Sequence, residues 1–162
     1  MKKIAFSFTL LSAAFIVSCG GEAQQTAAPE AVVVEEPKAD LKGIGAITEV
    51  KLTDPMEQSM IASGKAIYEM KCSACHKLDG VRVVGPGFSG VTNKRRPEWI
   101  MNMITNTDVM LDKDPAAQAL LEECLMRMPN QNLSTGDARS VLEFMRQNDE
   151  ATTGKKDQAI NL

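Results

Sequence analysis

The sequence predicts a small all-α domain, and three observations lead there. Apolar residues recur at helical spacing in four stretches, each opened by a helix-starting signal, and no stretch alternates as a strand. The segment Leu78 to Thr92 reads as loop, because it holds Gly80, Gly85, Pro86, Gly87 and Gly90. The 162 residues, 44% hydrophobic and 24% charged, fit one domain with a modest remainder, and a formal net charge of −3 argues against a nucleic-acid partner.

Residues 1–18 read as an export signal. Lys2 and Lys3 precede the uncharged apolar run Ile4 to Val17, which is shorter than the roughly 20 residues that a spanning helix needs. The run ends in Ile16-Val17-Ser18-Cys19-Gly20, which resembles the lipobox of bacterial lipoproteins. That resemblance implies a mature N-terminus at Cys19 carrying acyl chains, held on the periplasmic side of a bacterial membrane. Several chains at one point anchor a protein firmly, which one alone does not. Residues 19–53 are rich in Ala, Gly, Glu, Gln, Thr and Pro, with one apolar cluster at Val32-Val33-Val34, and read as a disordered tether. Its r.m.s. span would be roughly 30 Å.

The folded domain is expected over residues 54–148. Asp54-Pro55 places a cap and a first-turn proline before Met60, Ile61, Gly64, Ile67 and Tyr68. Arg96-Pro97 opens a second helix with Ile100, Met103 and Ile104 on one face. Asp114-Pro115 repeats the cap-plus-proline signal before Leu120, Leu121, Cys124 and Leu125. Ser134 with Asp137 forms a capping box for a last helix carrying Ala138, Val141, Leu142 and Met145. Residues 149–162 read as a disordered tail.

The chemistry stands at Cys72-Ser73-Ala74-Cys75-His76. C-x-x-C-H is the attachment signature of c-type haem. Two thiols three positions apart at a helix end reach the two vinyl groups on one porphyrin edge, and the next residue turns its imidazole under the ring. A thioredoxin-like dithiol would need a βαβ context, and a zinc site would need further Cys or His ligands. His76 is the one histidine, so a Ser-His-Asp triad elsewhere and a bis-histidine iron centre within the chain are both excluded. A sixth iron ligand then falls to methionine, and His/Met ligation raises the reduction potential. Met128 is the favoured candidate, because Pro129 forces the chain out of the helix and leaves Met128 at a loop entrance. Met126 is its rival.

Residues from about Ser59 to Gln147 resemble a monohaem class I cytochrome c. Gly64 and Tyr68 match that family's first helix, Cys72, Cys75 and His76 its haem site, and Val141 to Phe144 its last helix. Gly85-Pro86 matches the proximal loop and Met128-Pro129 the distal ligand. The resemblance implies a helical domain around one covalent haem c, with the Pro86 carbonyl accepting the Nδ1 hydrogen of His76. It also implies a single-electron carrier between a quinol-oxidising complex and a terminal reductase or oxidase, rather than an enzyme. Asn93 to Ile104, with Pro129 to Leu133, is further similar to lipoprotein cytochromes that accompany nitrous oxide reductase. Two other readings remain: a haem-based ligand binder with a labile distal site, and a fixed haem subunit of a respiratory complex.

Cys124 falls on an apolar face and is expected to be buried and inert. The run Lys94-Arg95-Arg96 reads as a solvated face, a partner for haem propionates or a docking patch. The Trp99 indole is a second candidate for a propionate.

The aromatic count sharpens the cofactor reading. Of seven aromatic residues, Phe6, Phe8 and Phe15 fall in the export signal, leaving Tyr68, Phe88, Trp99 and Phe144. A buried porphyrin would supply the missing apolar bulk. A Cys72→Ala, Cys75→Ala apoprotein is therefore expected to melt without a cooperative transition; a sharp calorimetric transition would contradict this.

Overall fold

A computed structural model of the chain describes residues 41–161; the expected export signal, the expected lipid site Cys19 and the first part of the expected tether lie outside them. The architecture over these residues is helical, with α1 (Gln58–Lys71), α2 (Val91–Lys94), α3 (Pro97–Thr105), α4 (Thr107–Lys113), α5 (Pro115–Cys124) and α6 (Thr135–Thr153). A short 3-10 turn spans Gln158–Asn161, and an isolated bridge between His76 and Arg82 takes the place of any strand among the described residues.

The principal packing is α1 against α6. Ile61, Gly64 and Tyr68 share the buried face of α1, and Ala138, Val141, Leu142 and Met145 that of α6. A Cβ on Gly64 would collide with the Ser140 carbonyl and crowd the Phe144 side chain, so glycine lets the two backbones approach. The predicted capping box is present: Asp137 N–H donates to Ser134 Oγ at 3.1 Å, and Ser134 N–H donates to the Asp137 carboxylate at 3.2 Å. Asp114 likewise caps α5 through Ala117 N–H at 2.9 Å, and Pro97 opens α3.

Four expectations are corrected. The first helix starts at Gln58, and Asp54-Pro55 (a cis peptide) lies in the bend before it; Asp-Pro is as good a turn signal as a cap. The second helix is followed directly by α4. Asn106 leaves helical geometry between two threonines whose hydroxyls donate to carbonyls four residues back, at Met101 and Met103.

The tether ends earlier than residue 53. Residues 41–53 pack on the helical body through Ile44, Ile47, Val50 and Leu52. The buried Asn102 side chain accepts from Ile47 N–H at 3.1 Å and donates to the carbonyls of Ile47 and Lys42 at 2.9 and 3.1 Å. Asn106 donates to the Ile44 carbonyl at 3.0 Å. The segment escapes sequence reading because α3 side chains, and no regular backbone ladder, satisfy its polar groups.

The tail is ordered as well. The Arg146 guanidinium, buried in α6, pairs with Glu143 and Asp157 at 2.7 Å each and donates to the Thr53 carbonyl at 3.2 Å. Burial alone would lower its pKa; the two carboxylates reverse that and leave it raised. Asp149, placed by the sequence reading in a frayed tail, is fully buried and takes three hydrogen bonds of 2.7 Å from Gly90 N–H, Thr92 N–H and Thr92 Oγ1. The packed body thus runs through 41–161 instead of 54–148.

Gly64→Ala should destabilise the fold by about 1–3 kcal/mol through overpacking. Gly80→Ala, where nothing lies within 4 Å, should change stability by less than about 0.5 kcal/mol. Chemical denaturation of the two variants measures the difference.

Candidate functional site

The end of α1 builds the site. Cys72 closes the helix as its C-cap, donating to the Tyr68 carbonyl at 2.9 Å, and the next turn returns Cys75 N–H and His76 N–H to the Cys72 carbonyl at 3.1 and 2.9 Å. The thiols therefore sit one turn apart. Both are free; Cys72 is buried and Cys75 half-buried. Burial holds the Cys72 thiol above its ordinary range, with Lys71 opposing and Cys75 adding to the rise.

The glycine loop then folds back over the imidazole. Gly85 N–H donates to the Cys75 carbonyl at 3.0 Å and Phe88 N–H to the Lys77 carbonyl at 2.8 Å. His76 Nδ1 lies 2.8 Å from the Pro86 carbonyl, as expected, which makes Nδ1 the protonated nitrogen and leaves Nε2 with its lone pair for a metal. Burial lowers the pKa of the ring, against the pull of Pro86, so it stays neutral and ligating. A Cβ on Gly85 would strike the His76 ring, so glycine is required for this contact.

Behind the imidazole stands an aromatic cluster. Phe88 lies 4.8 Å from the His76 ring, and Tyr68 lies 5.7 Å from Phe88 and 5.4 Å from Phe144. The Tyr68 hydroxyl donates to the His76 carbonyl at 2.7 Å. Burial, then Cys72 and Asp79, push its pKa up and keep it a donor. Three of the four aromatics beyond residue 18 thus support one histidine. No local pattern marks that role; it follows only from the α1–α6 crossing.

In front of the imidazole lies a cavity of about 560 Å³, within the range of small-molecule and cofactor sites. Cys75 and His76 line one part, Ile100, Met103 and Ile104 another, and Leu120, Leu121 and Cys124 a third. The apolar face of α5 therefore serves the cavity. This corrects the reading of Cys124: it is half-buried at the cavity wall, because α5 ends there and Leu125 turns into the left-handed region at φ 56. Met128 also lines the cavity, half-buried and packed on the core; Met126 lines it too but is 59% exposed. Pro86 and Pro129 complete the set of predicted residues that meet here.

The basic run divides. Lys94 and Arg95 line the cavity, whereas Arg96 turns to the Ile160 carbonyl and Glu98. Trp99 also lines it, yet its indole N–H is spent on Asp114 Oδ1 at 3.0 Å, which removes it as a propionate donor. Arg82 and Arg127, neither of them singled out by the sequence, line the cavity as well. Among the described residues there is no cluster of His, Cys, Asp and Glu suited to another metal.

An apolar cavity with the Cys75 thiol in its wall and the buried Cys72 one turn away outside the lining, a neutral imidazole with free Nε2, and a thioether in its wall fits a covalently held iron porphyrin. Comparisons with known proteins agree. The family model for cytochrome c matches residues 61–149. A cytochrome c from Rhodothermus marinus is similar at 32% identity and a TM-score of 0.64, over 67% of this chain and 92% of that one. An engineered form of the Rhodothermus marinus cytochrome is similar at 32% identity and a TM-score of 0.63, over 65% and 91%. An engineered form bound to a carbene intermediate gives 32%, 0.60, and the same 65% and 91%. No curated protein sequence matches the chain.

Proposed function

The chain belongs to the cytochrome c family, and from that premise we propose that it is a membrane-tethered carrier whose haem is held by Cys72, Cys75, His76 and Met128. Proteins of this family carry electrons on covalent haem c and are not enzymes; Cys72-x-x-Cys75-His76 is this chain's C-x-x-C-H motif. When bound, the haem supplies a one-electron iron couple.

The observation that carries the assignment is the single cavity that gathers Cys75, His76, Pro86 and Met128. Pro86 fixes the imidazole tautomer and orientation. The apolar walls would keep water from a bound metal, which would favour its less charged reduced state. Met128 is preferred over Met126 because it packs on the core, so less side-chain freedom is lost on ligation. Were His76 and Met128 both to hold the iron, the chain would leave no position on it for a substrate.

The tether belongs to the same proposal. Lipid on Cys19 would hold the domain on the periplasmic side of a bacterial membrane, and residues 20–40 would give it reach. No helix among the described residues is long and apolar enough to cross a membrane. Donor and acceptor are then a quinol-oxidising complex and a terminal reductase or oxidase. The likeness of Asn93 to Ile104 and Pro129 to Leu133 to cytochromes accompanying nitrous oxide reductase supports that copper enzyme as acceptor.

Met128→Ala is expected to lose the methionine signature in absorption and magnetic-resonance spectra and to bind carbon monoxide rapidly when reduced. Wild type and Met126→Ala should do neither. Rapid stoichiometric binding to wild type would instead indicate a ligand binder. Cys19→Ser should move the protein from the membrane to the soluble fraction on cell fractionation. Oxidation of the reduced protein by added nitrous oxide reductase tests that partner.

A further inference from the structure

Four cations line the cavity, and two are already satisfied by the protein. Arg82 is held by the Glu123 carboxylate, and Arg127 by Asp112 at 3.0 Å and Asp108 at 3.9 Å. Lys94 and Arg95 have no carboxylate partner among the described residues. Lys94 is exposed, but Arg95 is half-buried, and its guanidinium is held 4.7 Å over the Trp99 ring. Trp99 is buried and pinned by Asp114, so the platform is rigid. A fixed, half-desolvated cation at an apolar cavity calls for an anion inside it. The porphyrin assigned to the cavity carries two carboxylates.

The placement of these cations has its own support. They follow Thr92 on α2, a helix too short to hold itself, and Asp149 of α6 pins the start of that segment through Gly90 and Thr92. We propose that Lys94 and Arg95 pair with the haem carboxylates, Arg95 as the fixed partner, and that Asp149 is the positioning residue that keeps them at the cavity. The inference rests on the haem reading above. Arg82, Glu123 and Arg127 are the remaining charged side chains at the cavity, Arg82 paired with Glu123 and Arg127 with Asp112 and Asp108, while His76 is neutral.

Reduction potential against pH, followed by visible absorbance on the full-length holoprotein, tests this. A cation beside a carboxylate favours its ionised form and lowers its pKa. Losing the cation raises that pKa and leaves a net negative charge once the carboxylate ionises, which stabilises oxidised iron. Arg95→Gln should lie below wild type at acid and alkaline pH, as loss of any nearby cation would make it, but its step should move to higher pH, so that the two profiles converge between the wild-type step and the variant's. Arg95→Lys should restore most of the wild-type profile. Arg82→Gln, which removes the same charge elsewhere on the wall, should offset the potential equally at every pH. Lys94→Gln should move the step in the same direction by a smaller amount, and decides the matter if Arg95→Gln fails to fold. Asp149→Asn should reproduce part of the step, and a wild-type profile there would remove it from the proposal. Profiles of Arg95→Gln or Lys94→Gln parallel to wild type would overturn the pairing. Absence of covalent haem absorbance in wild type would overturn the haem reading instead.

Discussion

The close approach of α1 and α6 at Gly64 is the contact from which the site's geometry follows. Because no Cβ intervenes there, the two longest helices cross in contact, and the end of α1 emerges at a defined height above α6. That height puts Cys72 in the core, stacks Tyr68 between Phe88 and Phe144, and lets its hydroxyl hold the His76 carbonyl. The glycine loop then closes on a ring that is already supported from behind. Widening the crossing would disturb the imidazole before it touched anything else.

The remaining helices are organised around what the polypeptide does not fill. α3 turns its buried residues inward and also presents Ile100, Met103 and Ile104 to the cavity, while α5 spends Leu120, Leu121 and Cys124 there. Only Ala117 of α5 is fully buried, so this helix has almost no protein core of its own. Its fixed start, where Asp114 binds both Ala117 N–H and the Trp99 indole, holds it against the body. The shortage of aromatic side chains and the thin core of α5 have one cause, a large flat group expected within the helices.

What was legible in the sequence was chemistry that must be contiguous. Cys72, Cys75 and His76 stand together because one porphyrin edge demands it, and caps such as Ser134 with Asp137 act within one turn; Pro129 pointed to Met128 for a reason the structure corrects, since α5 already ends at Cys124 with Leu125 in the left-handed region. What escaped acts over distance through backbone acceptors that carry no side-chain signature. Asn102 binds residues 55 and 60 positions earlier, and Asp149 binds residues 57 and 59 positions earlier. Both ends of the body looked disordered by composition, since their few apolar residues follow no period and their polar residues gain partners only once α3 and α6 exist. Cys124 was misjudged for a related reason: an apolar face shows that something covers it, without showing whether that is protein.

The attachment of residues 42–50 to α3 has a mechanical consequence. Any pull on the chain ahead of residue 41 reaches Asn102 and Asn106 first, across hydrogen bonds to Lys42, Ile44 and Ile47. A second clamp follows where Arg146 grips the Thr53 carbonyl, still ahead of the first turn of α1. Load applied ahead of residue 41 therefore passes into α3 and α6 before it can reach the helix that ends in Cys72. The domain is built with strain relief, so that drag on the chain ahead of it does not become distortion at His76.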